Sequence, residues 1–119
     1  MQTICVEYRY PVTEEMAKAV SEYLPELMER CLACRQSLND RETFVVDAKR
    51  ATRFLHRTEF SLCITVRAKE YHSRALRLKE SVDDIARNLN AFLGLMVSWP
   101  TTARAHVTVE LVKYESAEF

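Results

Sequence analysis

Residues 60–68, FSLCITVRA, and the ten residues after them decide the fold of this chain. Apolar side chains alternate with small or polar ones through the stretch, as expected for a strand with one buried face. The apolar positions are Phe60, Leu62, Ile64 and Val66. The alternation therefore predicts a strand over 60–68, with Arg67 on the side away from the core.

Residues 71–80 allow two interpretations. Apolar residues keep helical spacing through this segment and beyond it, which favours one long helix from about Tyr71. Ser81, followed by valine and two aspartates, instead resembles a helix start with a cap and first-turn acids. In that case residues 72–78 form a fourth strand, hairpinned to 60–68, and the helix covers 82–96. We favour the strand and keep the helix as the alternative.

The remaining segments follow the same two periodicities. Residues 3–10 alternate as a strand, and Thr13 offers an N-cap for a helix that should finish near residues 37–40. Pro25 interrupts that helix, so we expect a kink or a fresh turn there. Two more strands are predicted, over 43–48 and 105–114.

These elements predict a single α+β domain over residues 1–119. We expect a two-layer sandwich, with a mixed sheet of four to five strands and two helices on one face. The favoured element order is β-α-β-β-β-α-β. The alternative is the ferredoxin-like order, β-α-β-β-α-β.

Composition narrows the class of protein. The chain has 119 residues and is 48% hydrophobic, which excludes a disordered protein. No apolar run approaches the roughly 20 residues that span a bilayer, and the first residues do not resemble a signal peptide, so we expect a cytoplasmic protein without a membrane partner. The only glycine is Gly94, which excludes a Gly-rich phosphate loop.

The cysteines and histidines give no clear catalytic or metal site. Cys31 and Cys34 form a CxxC pair near a predicted helix C-terminus, whereas Cys5 and Cys63 lie on the sides of their strands away from the apolar rows. The two pairs should therefore face apart, which favours structural thiols over a zinc or redox site. His56, His72 and His106 have no spaced His, Asp or Glu partner. We predict no metal, no cofactor and no nameable catalytic residue.

Charge is unevenly distributed along the chain. Residues 49–79 hold nine Lys or Arg against two acids, while the first 48 residues hold five against nine and the last 40 hold three against six. Like charges so close favour an anionic partner, and the phosphate backbone is the commonest such partner. The predicted anion-binding or nucleic-acid-binding residues are Lys49, Arg50, Arg53, Arg57, Arg67, Lys69, Arg74 and Arg77.

Two stretches resemble the ribosome hibernation-promoting factor family, also called ribosome-associated inhibitor A or sigma-54 modulation proteins. They are ICVEYRYPVTEEMAKAVSEYLPEL and VVDAKR…FSLCITVRA…SRALRLKESVDDIARNLNAFL, with Val82, Ile85, Leu89 and Phe92 at the family's apolar positions. The resemblance covers residues 3–96 and implies a domain that binds the small ribosomal subunit. It also implies that Lys49, Arg50, Arg53 and Arg57 lie near the basic end of the family's second strand.

Three functional hypotheses follow, in order of preference. The first is a small non-enzymatic protein that binds RNA or the ribosome through the basic residues, with Phe54 or Tyr71 stacking on a base. The second is a protein-interaction module, either a homodimer or an inhibitor that docks on an acidic protein partner. The third is a small-molecule enzyme of the dimeric ferredoxin-like kind, which would need a pocket that the sequence does not identify.

Overall fold

The computed structural model describes residues 2–35, 37, 43–51, 59–96 and 98–113. Four strands and three helices follow one another along these residues. In chain order they are β1 (Gln2–Tyr8), α1 (Glu14–Cys31), β2 (Phe44–Arg50), β3 (Leu62–Lys69), α2 (His72–Leu76), α3 (Leu78–Gly94) and β4 (Ala105–Val112).

The four strands form one mixed sheet in the order β2-β1-β3-β4. The two outer pairs, β1 with β2 and β3 with β4, are parallel, and the central pair of β1 with β3 is antiparallel. Parallel neighbours need a long crossover, which α1 supplies in the first half and α2 with α3 supply in the second. The molecule therefore consists of two βαβ units laid side by side and running in opposite directions.

The core lies between one face of this sheet and the helices. Ile4 and Val66, from the two central strands, are 0% exposed, and so are Leu24 of α1 and Ile85 of α3. Complete burial of an aliphatic side chain of this size contributes roughly 1.5–3 kcal/mol. The two long helices also touch each other, since the rings of Tyr23 and Phe92 stack at 4.2 Å. Both βαβ units thus share one hydrophobic core.

The first helix begins where the sequence predicts. Thr13 has an extended backbone, and its Oγ1 accepts a hydrogen bond from the Met16 amide at 3.3 Å. The helix ends at Cys31, before the predicted 37–40, and it continues through Pro25 as one element. Its buried stripe faces the sheet.

The favoured strand over 72–78 does not form. Residues His72–Leu76 form α2, Arg77 is the cap between the two helices, and Leu78 begins α3. Ser81 lies inside α3, where its amide donates to the Arg77 carbonyl at 2.9 Å. Ser81 is therefore not a cap, although its neighbours resemble a helix start. The place beside β3 is taken by β4, whose parallel ladder uses the hydrogen bonds that a hairpin strand would need. The helical alternative for this segment is correct.

The predicted fold class is confirmed: an α+β two-layer structure with a four-stranded mixed sheet and helices on one face. The element order matches the alternative, β-α-β-β-α-β, with the second helix divided in two. The connections differ from the split units of a ferredoxin-like domain, because each strand pair of a unit is adjacent here. The first strand is shorter than the predicted 3–10, because β1 stops at Tyr8 and Tyr10 is 85% exposed.

Candidate functional site

The fold divides the predicted basic residues between two ends of the sheet. Arg50 is aligned with Tyr8, the last residue of β1. Lys69 lies at the opposite end, where its amide donates to the Gln2 side chain at 3.0 Å. The seven residues of β1 separate these ends by roughly 20 Å, at about 3.3 Å per residue. The stretch 49–79 is therefore not one compact patch.

Three of the predicted residues are paired with acids of this chain. Lys49 Nζ lies 3.9 Å from Glu7, Arg67 Nε lies 3.1 Å from Glu110, and Arg77 Nε lies 3.4 Å from Glu80. Glu7 and Glu110 belong to the acidic first and last parts of the sequence. The charge blocks that are separate along the chain thus partly neutralise one another in space.

Arg74 is buried, with 2% of its surface exposed. Its Nε donates to the Leu32 carbonyl at 2.8 Å, and its Nη1 donates to the Lys69 carbonyl at 2.8 Å and to Gln2 Oε1 at 3.2 Å. These bonds tie the end of α1 and the two central strands to α2. The position of Arg74 is that of a structural residue inside the fold.

Tyr71, predicted to stack on a base, lies next to two cations. The Lys69 ammonium is 5.1 Å from the ring centroid and the Arg74 guanidinium is 5.0 Å from it. Such distances are typical of cation–π contacts. Arg53, Arg57, Phe54 and His56 lie outside the described residues.

Three arginines lie in a row along the end of the sheet opposite to Lys69, each next to a different strand. It consists of Arg50 at the end of β2, Arg9 just after β1, and Arg104 just before β4. Arg9 Nε donates to the Phe60 carbonyl at 3.1 Å, and the Arg104 carbonyl accepts the Ser61 amide at 2.8 Å. Three strand spacings of about 4.8 Å make this end roughly 14 Å wide. Hereafter Arg9, Arg50 and Arg104 are called the arginine row.

The arginine row is electrostatically different from the paired residues. Within the described part of the chain, none of its members forms an ion pair with an acid, although Glu14 lines a hollow together with Arg50 and Tyr10. Arg50 and Arg104 are exposed. The sequence prediction missed Arg9 and Arg104 because they lie outside residues 49–79. Their position next to strand ends was the available signal.

A cleft of about 480 Å³ opens next to the arginine row, between α3 and β4. Its walls are largely apolar, and Phe60, Trp99, Arg104, His106 and Asn90 lie around it. The Phe60 ring contacts two polar side chains of the cleft. The Arg104 guanidinium lies 5.4 Å from the centroid of the Phe60 ring, and the centroid of the His106 ring lies 4.9 Å from it. Sequence reasoning did not identify this cleft, since its residues come from four separate segments.

The cysteines lie on two sides of the sheet. Cys5 and Cys63 are on the face that carries no helix, where burial and then the Glu7 carboxylate raise the pKa of Cys5. Burial likewise raises the pKa of Cys31. Burial by itself raises the pKa of Cys34. Hydrogen bonds with Ser37 and Ser73, together with the charge of Arg74, outweigh burial and bring this pKa below its ordinary value.

Neither a metal site nor a membrane span is found in the described residues. No group of three His, Cys, Asp or Glu side chains there is arranged to hold a metal ion. The helices in the same part of the chain are too short or too polar to cross a bilayer.

Comparisons with known proteins support the fold. No family model and no curated protein matches the chain. Among solved structures, a domain of unknown function (DUF1904) from Sebaldella termitidis is similar with a TM-score of 0.56 and 14% identity, over 94% of this chain and 89% of that one. Malonate semialdehyde decarboxylase is similar with a TM-score of 0.52 and 13% identity, over 98% of this chain and 88% of that one.

These likenesses concern architecture only, because the identities are low. They show that small α+β domains of known structure share this arrangement. Neither protein is described as a ribosome hibernation-promoting factor. The resemblance to that family therefore remains a prediction.

Proposed function

We propose that this protein binds single-stranded RNA at the end of the sheet that carries the arginine row. One observation carries the proposal: Arg9, Arg50 and Arg104 come from three separate segments, lie along one end of the sheet, and form no ion pair within the described residues. Guanidinium groups in such a row suit successive phosphates of a nucleic-acid backbone.

An exposed aromatic residue supports RNA over a simple anion. Tyr10 is 85% exposed and lines the same hollow as Arg50. Unpaired bases of single-stranded RNA stack on exposed aromatic rings, each stack contributing roughly 1–3 kcal/mol. In the sequence, Arg53 and Arg57 follow Arg50, so residues 50–57 carry three arginines. A ribosomal partner and a cytoplasmic location are further parts of the proposal.

Binding of a fluorescently labelled single-stranded RNA at about 50 and 300 mM salt tests the proposal. The double substitution R50E/R104E should lower affinity at least tenfold at the lower salt. It should also reduce the slope of log K against log salt by about 1.4, since each phosphate contact on a single strand contributes about 0.7.

Lys113→Glu provides the matched control. Like each of the two arginine substitutions, it replaces a positive charge by a negative one. Lys113 follows the end of β4 that is remote from Arg104, and its Nζ lies 3.8 Å from Glu70. We expect the affinity of this variant to stay within about twofold of the parent, as for a charge outside the interface. Equal losses in both variants, or no binding by the parent at low salt, would contradict the proposal. Co-sedimentation with ribosomes then tests the ribosomal partner.

A further inference from the structure

The cleft between α3 and β4 has the composition of a small-molecule site. Leu89 and Leu93 of α3 face Val107 of β4 across it, and the aromatic rings of Phe60 and Trp99 lie at the cleft. Its volume of about 480 Å³ falls within the range of roughly 300–1,000 Å³ that is typical of ligand pockets. Apolar walls with aromatic rings favour a ligand with a flat ring over a flexible aliphatic one.

The polar groups of the cleft favour an anion. Arg104, His106 and Asn90 line it, and none of the lining residues that the structure describes is an Asp or a Glu. A guanidinium binds carboxylate and phosphate groups through two parallel hydrogen bonds, and the imidazole and the amide can each donate one more. A cation would be repelled by the Arg104 guanidinium, and a purely apolar molecule would use none of these donors.

Contacts within the fold hold the backbone of Arg104 and the ring of His106 in place. The Arg104 carbonyl accepts hydrogen bonds from the Ser61 and Leu62 amides at 2.8 and 3.2 Å, which fixes its backbone beside the start of β3. Phe60 then supports both the guanidinium and the His106 ring, and His106 Nδ1 lies 3.4 Å from Thr108 Oγ1. Preorganised donors bind more tightly because less conformational freedom is lost.

We infer that this cleft binds a small molecule with a planar ring and an anionic group, either an aromatic carboxylate or a nucleoside monophosphate. The ring lies between the apolar walls, next to Trp99, and the carboxylate or phosphate lies against Arg104 with His106 beside it. This site does not depend on the RNA proposal, although the two share Arg104.

Trp99 makes the inference directly testable, because it is the only tryptophan of the chain. Its fluorescence should change saturably when adenosine monophosphate or 4-hydroxybenzoate is added, and it should not change with inorganic phosphate, which lacks the ring. Arg104→Gln should weaken the binding at least tenfold by removing the charge-assisted contact. A response to only one of the two organic probes identifies which source of the anionic ring is used.

A variant that fills the cleft separates this site from the RNA surface. Ala86 is exposed on α3 and lines the cleft, so Ala86→Phe should block the small molecule while leaving RNA affinity unchanged. Arg50→Glu should weaken RNA binding while leaving the affinity for the small molecule unchanged. Ala86→Ser, which adds little volume, controls for changes in α3. If neither probe gives a saturable change up to about 10 mM, or if Ala86→Phe binds as well as the parent, the inference is overturned.

Discussion

A buried guanidinium must have its N–H groups bonded, because desolvation of an unbonded charge is strongly unfavourable. Arg74 satisfies this requirement with the carbonyls of Leu32 and Lys69 and the side chain of Gln2. Leu32 caps the end of α1, Lys69 is the last residue of β3, and Gln2 is the first residue of β1. One side chain on a short helix therefore holds β1, β3, α1 and α2 together.

Replacement of Arg74 should destabilise the protein. Arg74→Met keeps most of the apolar length but leaves buried carbonyls without a donor, so we expect the free energy of unfolding to fall by about 2–4 kcal/mol. Arg77→Met is the control, since Arg77 is exposed and pairs with Glu80 on the surface. Its effect should stay within about 0.5 kcal/mol. Urea unfolding measures both, and equal effects would show that Arg74 is not a structural residue.

The thiols should differ in their pH dependence. The pKa of Cys34 lies below the ordinary value of a cysteine thiol and that of Cys5 lies above it. Because the thiolate is the reactive form, Cys34 should be alkylated at lower pH than Cys5. Variants that each keep one cysteine, treated with iodoacetamide over a pH series, should give a lower rate midpoint for Cys34 than for Cys5. Ser73→Ala should raise the Cys34 midpoint, and coincident midpoints would refute the assignment.

Among the helices, α1 contains an evident weak point. Pro25 lies in its interior and has no amide hydrogen, so the Ser21 carbonyl receives no helical hydrogen bond from residue 25. Pro25 is half-buried, so an alanine, which is smaller, fits in its place. Proline is about 3 kcal/mol less favourable than alanine inside a helix.

Pro25→Ala should accordingly stabilise the protein by about 1–3 kcal/mol, measured as an upward shift of the urea midpoint. The neighbouring Glu26→Ala is the control, because Glu26 is exposed and already lies in a regular turn. We expect that variant to change stability by less than about 0.5 kcal/mol. A loss of stability in Pro25→Ala would mean that the proline ring contributes packing that alanine cannot replace.

The helix–strand ambiguity of residues 71–80 shows where local patterns are insufficient. A short segment with alternating character can satisfy a strand as well as a helix, and Ser81 resembles a cap from sequence alone. The outcome depends on β4, which lies more than 25 residues further along and pairs with the free side of β3. The strand at 60–68 and the N-cap at Thr13 were predictable, because each rests on local alternation or capping alone.

At the scale of the whole molecule, proximity along the chain was a poor guide to the binding surface. The basic stretch is divided between two ends of the sheet, and acids from both terminal parts neutralise several of its members. The arginine row joins residues as distant in sequence as Arg9 and Arg104, which reach the same end of the sheet only through the order β2-β1-β3-β4. The cleft between α3 and β4 is likewise lined by residues from separate segments of the chain. The residues of such sites are visible in the sequence, but the strand order determines which of them lie close together in space.

The reversed arrangement of the two βαβ units has an evolutionary consequence. Since the units run in opposite directions, each end of the sheet combines the strand ends of one unit with the strand beginnings of the other. The backbone therefore provides equivalent scaffolding at both ends, and side chains alone make one end arginine-rich and the other a closed hydrogen-bonded cluster. In such a framework, a few substitutions at the connections can exchange the roles of the two ends while the strand order stays the same.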